Sequence, residues 1–171
     1  MSWKELIRDI PDWPKPGILF RDITPLLADP GAFRQVVGEL AGAARPRQPE
    51  KIVATEARGF IFGAALALEL GLGFIPIRKR GKLPYKTVTE EYTLEYGTDQ
   101  IEMHADALKP GERALLVDDL LATGGTARAC LQLIRKVGAE PVGVLFVIEL
   151  EGLDGRKNLP ADIPVVSLVK L

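Results

Sequence analysis

The stretch VDDLLATGGT, residues 117–126, sets two neighbouring carboxylates beside a short loop of glycines and hydroxyls. The apolar run 114–117 predicts a buried strand, and Thr126 onward predicts a helix. Open α/β sheets bind ligands at such strand-to-helix turns. A helix N-terminus accepts phosphate through its free N–H groups and partial positive charge, and Gly124 and Gly125 let the backbone approach closely.

This loop is expected to bind one monophosphate, because it lacks the lysine of GxxxxGK[ST] and does not match GxGxxG. Asp118 and Asp119 would repel a phosphate, whereas carboxylates readily accept hydrogen bonds from vicinal hydroxyls. We therefore expect the acids to hold the sugar diol of a ribose 5-phosphate. Two other interpretations stay open: a helix-entry turn with a capping threonine, and an acidic metal site. The residues expected to bind the phosphate are Ala122, Thr123, Gly124, Gly125 and Thr126.

Composition restricts the class of protein. A chain of 171 residues with 47% hydrophobic and 26% charged residues is typical of one globular domain, residues 1–171. The net charge of −1 gives no basic field for nucleic acid or acidic membranes. Cys130 is the only cysteine, which excludes an internal disulfide and suits a reducing cytosol. Since no run approaches the roughly 18 apolar residues of a membrane span, we expect a cytoplasmic protein.

Strands and helices alternate along the chain. The patterns predict strands over 51–54, 74–77, 114–117, 142–148 and 165–169, and helices over 3–9, 30–44, 60–70 and 126–137. The helix 60–70 is apolar almost all round, which predicts burial, and Pro76 predicts an edge or terminal position for its strand. Period-two alternation around Gly97 predicts a β-hairpin over 89–104. The expected fold class is α/β, a parallel-centred sheet flanked by helices, with an inserted β-hairpin and an N-terminal flap.

Five segments of the chain carry a resemblance to a known family. The segment VDDLLATGGTA resembles the phosphoribosyl-pyrophosphate signature of the type I phosphoribosyltransferases. Four others are similar to the adenine phosphoribosyltransferases within that family: PKPGILFRDITPLL at 14–27, EARGFIFG at 56–63, IRKRGKLP at 77–84 and YTLEYG at 92–97. The resemblance implies transfer of a phosphoribosyl group from phosphoribosyl pyrophosphate to adenine, giving AMP and pyrophosphate in purine salvage. It also implies a homodimer, a base-binding flap over 1–30 and a hairpin hood over 83–104.

The resemblance assigns pyrophosphate binding to four residues: Arg58, Gly59, Arg78 and Lys82. The leaving pyrophosphate gains negative charge in the transition state, so a cation such as Arg58 would be catalytic there. Without the resemblance, a solvated loop is the better interpretation of the RKRGK run.

The remaining implied roles concern the base and the metal. Glu95, on the hood beside Tyr96, is expected to remove the purine proton as a general base, although the pattern alone indicates only the wet face of a strand. Mg²⁺ is expected to arrive bound to the substrate, with no direct protein ligand. Phe20 offers a stacking face, although from sequence alone it is more simply a core side chain. The residues implied to bind adenine are Leu19, Phe20, Arg21 and Leu120.

Two alternatives to adenine transfer remain. A transferase for a 6-oxopurine or pyrimidine needs a side-chain donor for the base carbonyl, and the end of the chain offers only Lys170. A non-catalytic phosphoribosyl-pyrophosphate-sensing regulator would usually carry a basic DNA-binding module, for which this near-neutral chain has no room.

Overall fold

The computed structural model of the protein describes residues 2–93 and 97–171, and the chain divides into two compact units, Met1–Glu39 and Leu40–Leu171. The first unit contains a 3-10 turn, Trp3–Leu6, the strands β1 (Arg8–Ile10) and β2 (Phe20–Asp22), and helix α1 (Thr24–Ala28). Helix α2, Pro30–Ala44, begins in this unit and has the predicted bounds.

The helix predicted over 3–9 is wrong beyond Leu6. Ser2 caps the 3-10 turn, and the backbone N–H of Ser2 donates to Glu5 at 3.1 Å. The chain then extends because β1 pairs antiparallel with β2, and the Arg8 guanidinium lies 2.6 Å from the Asp22 carboxylate on the opposite strand. Pairing between distant residues thus overrides the local helical pattern.

The second unit is built on a seven-stranded sheet in the order β5-β6-β4-β3-β7-β8-β9. Strands β4, β3, β7, β8 and β9 run parallel, while β5 and β6 form an antiparallel hairpin that joins β4. This arrangement confirms the predicted fold class and the predicted hairpin. The elements are β3 (Lys51–Thr55), α3 (Arg58–Leu70), β4 (Gly73–Lys79), β5 (Thr87–Thr93), β6 (Thr98–His104), β7 (Arg113–Leu121), α4 (Gly125–Lys136), β8 (Glu140–Glu149) and β9 (Val165–Lys170).

The strand that contains Pro76 lies inside the sheet, so the predicted edge position is wrong. Strand β4 pairs with β3 from Gly73 to Ile77, with Pro76 opposite Ala54. Its other neighbour, β6, pairs with Arg78 and Lys79, beyond the proline. A proline is tolerated because the second ladder begins after it.

Strand β7 is longer than its apolar run predicts. The run 114–117 is buried, and the strand continues through both acids to Leu121, which pairs with Glu149 of β8. Ladder hydrogen bonds to β8 hold the acidic residues in extended conformation despite their low strand propensity.

The core lies between the sheet and its helices. Helix α4 buries Cys130, Leu131 and Ile134 in one apolar cluster with Leu116 and Phe146 of the sheet. Helix α3 buries Phe62 and Leu66 but leaves Leu68 85% exposed, so the predicted burial of this helix holds for only part of its surface.

Candidate active site

Two strand-to-helix turns meet in one cleft at the carboxyl edge of the parallel sheet. Strands β3 and β7 are adjacent, with Ala54 opposite Val117, so the turns that lead into α3 and α4 emerge side by side. The cleft has a volume of about 320 Å³. Its lining consists of residues 55–58, residues 118–127 and Phe146.

The predicted phosphate loop forms one wall of this cleft. Gly124 precedes the first turn of α4 with φ of +86°, a conformation that glycine adopts without strain. Its carbonyl accepts the Arg128 N–H at 2.9 Å and starts the helix. The N–H groups of the first helical turn have no intrahelical acceptor, which makes them available to an anion.

The two acids differ in their surroundings. Burial, together with the adjacent negative charge of Asp119, raises the pKa of Asp118 well above its usual range. One carboxylate oxygen of Asp118 accepts the backbone N–H of Asp119 at 2.8 Å. The Asp119 side chain is itself buried and lies 2.6 Å from Nε of Arg58. The predicted diol-binding acid and the predicted pyrophosphate-binding cation therefore form an ion pair across the cleft.

Gly59 lies beneath Asp118. A Cβ atom at this position would lie 2.8 Å from Oδ1 of Asp118, closer than real Cβ contacts allow. The sequence predicts a role for the backbone amide of Gly59. The structure adds a steric reason for glycine, because any side chain here would displace the carboxylate.

Glu56 is a site residue that the sequence reasoning missed. It lines the cleft and organises the 78–82 loop: its carboxylate accepts the Lys79 backbone N–H at 2.8 Å and lies 2.9 Å from Nζ of Lys82. Nε of Arg78 lies 3.4 Å away. Burial raises the pKa of Glu56, but the hydrogen bonds from Lys82 and Lys79 outweigh it and hold the pKa below its usual range. Arg78 and Lys82 are thus connected to the cleft by their ion pairs with Glu56. An isolated acid two residues before Arg58, opposite in sign to the RKRGK run, was the signal that could have identified it.

The hairpin is tied to the same loop by residues near its turn. The Asp99 carboxylate on β6 lies 3.0 Å from Nζ of Lys79 and accepts the Tyr92 hydroxyl at 3.2 Å. Glu95 and Tyr96 lie outside the described residues.

The predicted base-binding residues of the first unit lie on and beside β2. Leu19 is 45% exposed. The Phe20 ring packs edge-on against Trp13, with centroids 4.5 Å apart and an interplanar angle of 67°. The Arg21 guanidinium pairs with Asp9. In the second unit, the fourth predicted residue, Leu120, lines the cleft.

Residues 2–93 and 97–171 contain no group of three or more His, Cys, Asp or Glu side chains that could hold a metal ion. Within the same residues, no helix combines the length and apolar character needed to cross a bilayer.

Known phosphoribosyltransferases match this chain over nearly its whole length. Residues 27–170 match the phosphoribosyl transferase domain family. An adenine phosphoribosyltransferase of Methylobacterium sp. strain 4-46 is 56% identical over 168 residues, which cover 98% of this chain and 93% of the relative. The crystal structure of adenine phosphoribosyltransferase from Thermoanaerobacter pseudethanolicus matches with a TM-score of 0.95 and 51% identity, covering 98% of this chain and 97% of the other. The Saccharomyces cerevisiae enzyme, complexed with D-2,5-dideoxy-2,5-imino-altritol 1,6-bisphosphate and adenine, matches with a TM-score of 0.92 and 38% identity, covering 98% and 96%.

Proposed function

This chain belongs to the phosphoribosyltransferase family, within its adenine phosphoribosyltransferases, and from that premise we propose how its residues transfer a phosphoribosyl group to adenine. The products are AMP and pyrophosphate, and the reaction serves purine salvage. The observation that carries the proposal is the convergence of the 122–126 loop, the Asp118–Asp119 pair and Arg58 in one cleft.

The 122–126 loop binds the 5-phosphate of phosphoribosyl pyrophosphate, and Asp118 and Asp119 bind its vicinal hydroxyls. Their order along the chain supports this assignment, because only Leu120 and Leu121 separate the acids from the loop and all of them line the same cleft. The phosphate meets helix N–H groups and the hydroxyls of Thr123 and Thr126, while the diol meets carboxylates.

Arg58, Gly59, Arg78 and Lys82 bind the pyrophosphate. Negative charge develops on this group as its bond to the anomeric carbon breaks, so a preorganised cation stabilises the transition state more than the ground state. Three of these residues carry that cationic charge. In the ligand-free protein these cations pair with Asp119 and Glu56, and the pyrophosphate replaces those partners.

Mg²⁺ would arrive bound to the substrate. Asp118 and Asp119 would meet such an ion mainly through water, because both line the cleft and carboxylate oxygens are ligands that Mg²⁺ prefers. When bound, the ion neutralises part of the charge that accumulates on the leaving group.

In the first unit, the residues proposed to bind adenine are Leu19, Phe20 and Arg21; in the second unit, the proposed residue is Leu120. Adenine presents a 6-amino donor and an N1 acceptor, which a backbone carbonyl and a backbone amide from Leu19 and Arg21 can match. A 6-oxopurine presents the reverse pattern and would leave two buried polar groups unmatched. Glu95 accepts the purine proton as a general base.

The active form is a homodimer in the cytoplasm. Exposed apolar side chains on α3, Ile61 at 37% and Leu68 at 85% exposure, support burial against a second copy. The buried free thiol of Cys130 suits a reducing compartment.

A base panel tests the proposal. With phosphoribosyl pyrophosphate and Mg²⁺ held constant, kcat/KM is measured for adenine, hypoxanthine and guanine. We expect adenine to be preferred by about 10²- to 10⁴-fold, because unmatched polar groups cost about 1–3 kcal/mol each. Comparable values for hypoxanthine would overturn the adenine assignment, and no turnover with any base would overturn the transferase assignment.

A further inference from the structure

The segment that follows β8 packs its backbone directly against the back of the phosphate loop. We call residues 154–158 the brace; they include the 3-10 turn Gly155–Asn158. A Cβ atom on Gly124 would lie 2.5 Å from the Gly155 carbonyl oxygen. A Cβ atom on Gly155 would in turn overlap the Ala122 carbonyl oxygen and lie 2.9 Å from the Leu121 side chain. Two glycines in different segments thus allow loop and brace to touch without side chains between them.

One side chain of the brace fixes the direction of a loop carbonyl. The amide of Asn158 donates to the Thr123 carbonyl oxygen at 2.6 Å. A loop that binds an anion through its N–H groups must turn its carbonyl oxygens away, because their partial negative charge would repel the anion. The Gly124 carbonyl is already held by Arg128 at the start of α4. Asn158 supplies the equivalent restraint one residue earlier, where the helix offers none.

The brace is itself anchored to the sheet. The Arg156 guanidinium donates to both oxygens of the buried Glu149 carboxylate, at 2.8 and 2.9 Å, and to the Val165 carbonyl at 2.9 Å. It therefore links the brace to the ends of β8 and β9. The Leu150 N–H donates to the Leu121 carbonyl at 3.0 Å, which joins the residue directly after β8 to the end of β7. The hydrogen bond between Asn158 and Thr123 is therefore anchored to the sheet through the brace.

We propose that Asn158 is a positioning residue for the phosphate loop and that it sets the affinity of the enzyme for the 5-phosphate group of its substrate. This inference rests on the proposed function, because the loop must bind a phosphate for its geometry to matter. Asn158 acts through the Thr123 carbonyl and does not contact the substrate. Its removal should therefore affect ligands that carry the 5-phosphate and leave adenine recognition unchanged.

Asn158→Ala and Asn158→Leu test the hydrogen bond. Calorimetric titration with ribose 5-phosphate should give a Kd about fivefold higher in each variant, because one neutral hydrogen bond contributes about 1 kcal/mol. The KM for phosphoribosyl pyrophosphate should rise with it, while the KM for adenine and the thermal midpoint stay at wild-type values. Asn158→Leu keeps the size and branching of the side chain and removes the donor without adding a charge, so a residue that served only for packing would tolerate it. Gln132→Ala is the matched control, because it truncates an exposed amide that lines the same surface depression as Asn158.

Gly155→Ala tests the contact by a second route. It retains Asn158 but places a methyl group against the Ala122 carbonyl, so the loop must shift and the affinity for ribose 5-phosphate should again fall. Wild-type affinity in both Asn158 variants would overturn the inference alone. A wild-type protein that binds neither ribose 5-phosphate nor phosphoribosyl pyrophosphate would overturn the proposed function and the inference with it.

Discussion

Nε of Arg58 lies 2.6 Å from Oδ2 of Asp119, so the residue that opens α3 and an acid at the end of β7 form an ion pair across the cleft. Asp119 is buried, and Arg58 remains nearly half exposed. Pairing with Arg58 offsets the cost of burying the Asp119 carboxylate. The pair therefore joins the residue proposed to bind the diol, Asp119, to a residue proposed to bind the pyrophosphate, Arg58.

Arg58→Ala should lower kcat by about 10²-fold, the usual cost of losing one donor to a charge that develops in the transition state. The KM for adenine should change little, because adenine does not carry that charge. Steady-state kinetics with each substrate varied in turn separate the two effects. A higher adenine KM with an unchanged kcat would show that Arg58 acts on adenine and not on the pyrophosphate.

Gly59→Ala should lower kcat/KM for phosphoribosyl pyrophosphate by at least about tenfold. The added methyl group would lie 2.8 Å from Oδ1 of Asp118 and must displace the carboxylate that is proposed to bind the diol. Lost charge-assisted hydrogen bonds cost about 1.5–3 kcal/mol each. Gly42→Ala is the matched control, because a Cβ atom there meets nothing within 4 Å. Wild-type kinetics in a folded Gly59→Ala protein would show that Asp118 does not bind the diol.

Glu149→Gln tests a titrating contact outside the cleft. Hydrogen bonds from Arg156 outweigh burial and hold the pKa of Glu149 below its usual value of 4.5. A carboxyl whose pKa is lower in the folded state stabilises the fold above about pH 4.5 and loses that effect as the pH falls towards the folded-state pKa. Wild type should exceed Glu149→Gln in unfolding free energy by about 1.5 kcal/mol at pH 7, at the low end for hydrogen bonds to charged groups because Arg156 is partly exposed.

Urea unfolding at pH 7, 5 and 4 measures this difference for Glu149→Gln. Glu140→Gln serves as the control, because Glu140 pairs with Arg113 at 3.5 Å on the exposed end of β8. A gap between wild type and Glu149→Gln that widened on acidification would contradict the assigned direction of the pKa shift.

Glu95→Gln should lower kcat by about 10²-fold if the carboxylate removes the purine proton, the typical contribution of a general base. Thermal stability should stay nearly unchanged, since the sequence pattern predicts a solvent-facing position for Glu95 and a surface substitution usually changes stability by less than about 0.5 kcal/mol. The pH profile of kcat, compared with that of wild type, reports the lost base. A small rate effect would leave Glu95 with a role in hood closure only.

The sequence predicted those parts of the fold and the cleft that depend on local pattern. Three local patterns each predicted the element in which they lie. The apolar run before Asp118 lies in a strand, the glycines of the phosphate loop lie at the start of a helix, and the alternation around Gly97 lies in a hairpin. What remained hidden depends on partners that are distant along the chain. Strand β1 exists because β2 pairs with it, and β7 extends to Leu121 because β8 continues beside it.

The same distinction holds within the cleft. Glu56 has no local pattern of its own, and its importance becomes visible only when the sheet brings Lys82 within 2.9 Å of it, 26 residues along the chain. Asn158 likewise only ends a short 3-10 turn, and its contact with Thr123 spans 35 residues. Sequence patterns indicate which residues have suitable chemistry, whereas these pairings decide which atoms that chemistry reaches.

Glu56→Gln should tighten the binding of pyrophosphate by about two- to fivefold. In the ligand-free protein the Glu56 carboxylate holds Lys82 at 2.9 Å and Arg78 at 3.4 Å, so an incoming pyrophosphate must compete with it for both cations. Lys82 is about half exposed, so the pair contributes no more than about 1 kcal/mol, which sets the upper limit of the gain. Glutamine removes the charge but keeps an oxygen that can accept the Lys79 backbone N–H, so the 78–82 loop should keep its shape. The inhibition constant of pyrophosphate against phosphoribosyl pyrophosphate measures the change, with Glu91→Gln on the hairpin as a control that removes an exposed acid. Weaker inhibition in Glu56→Gln would show that the carboxylate orients the two cations for the substrate rather than competing with it.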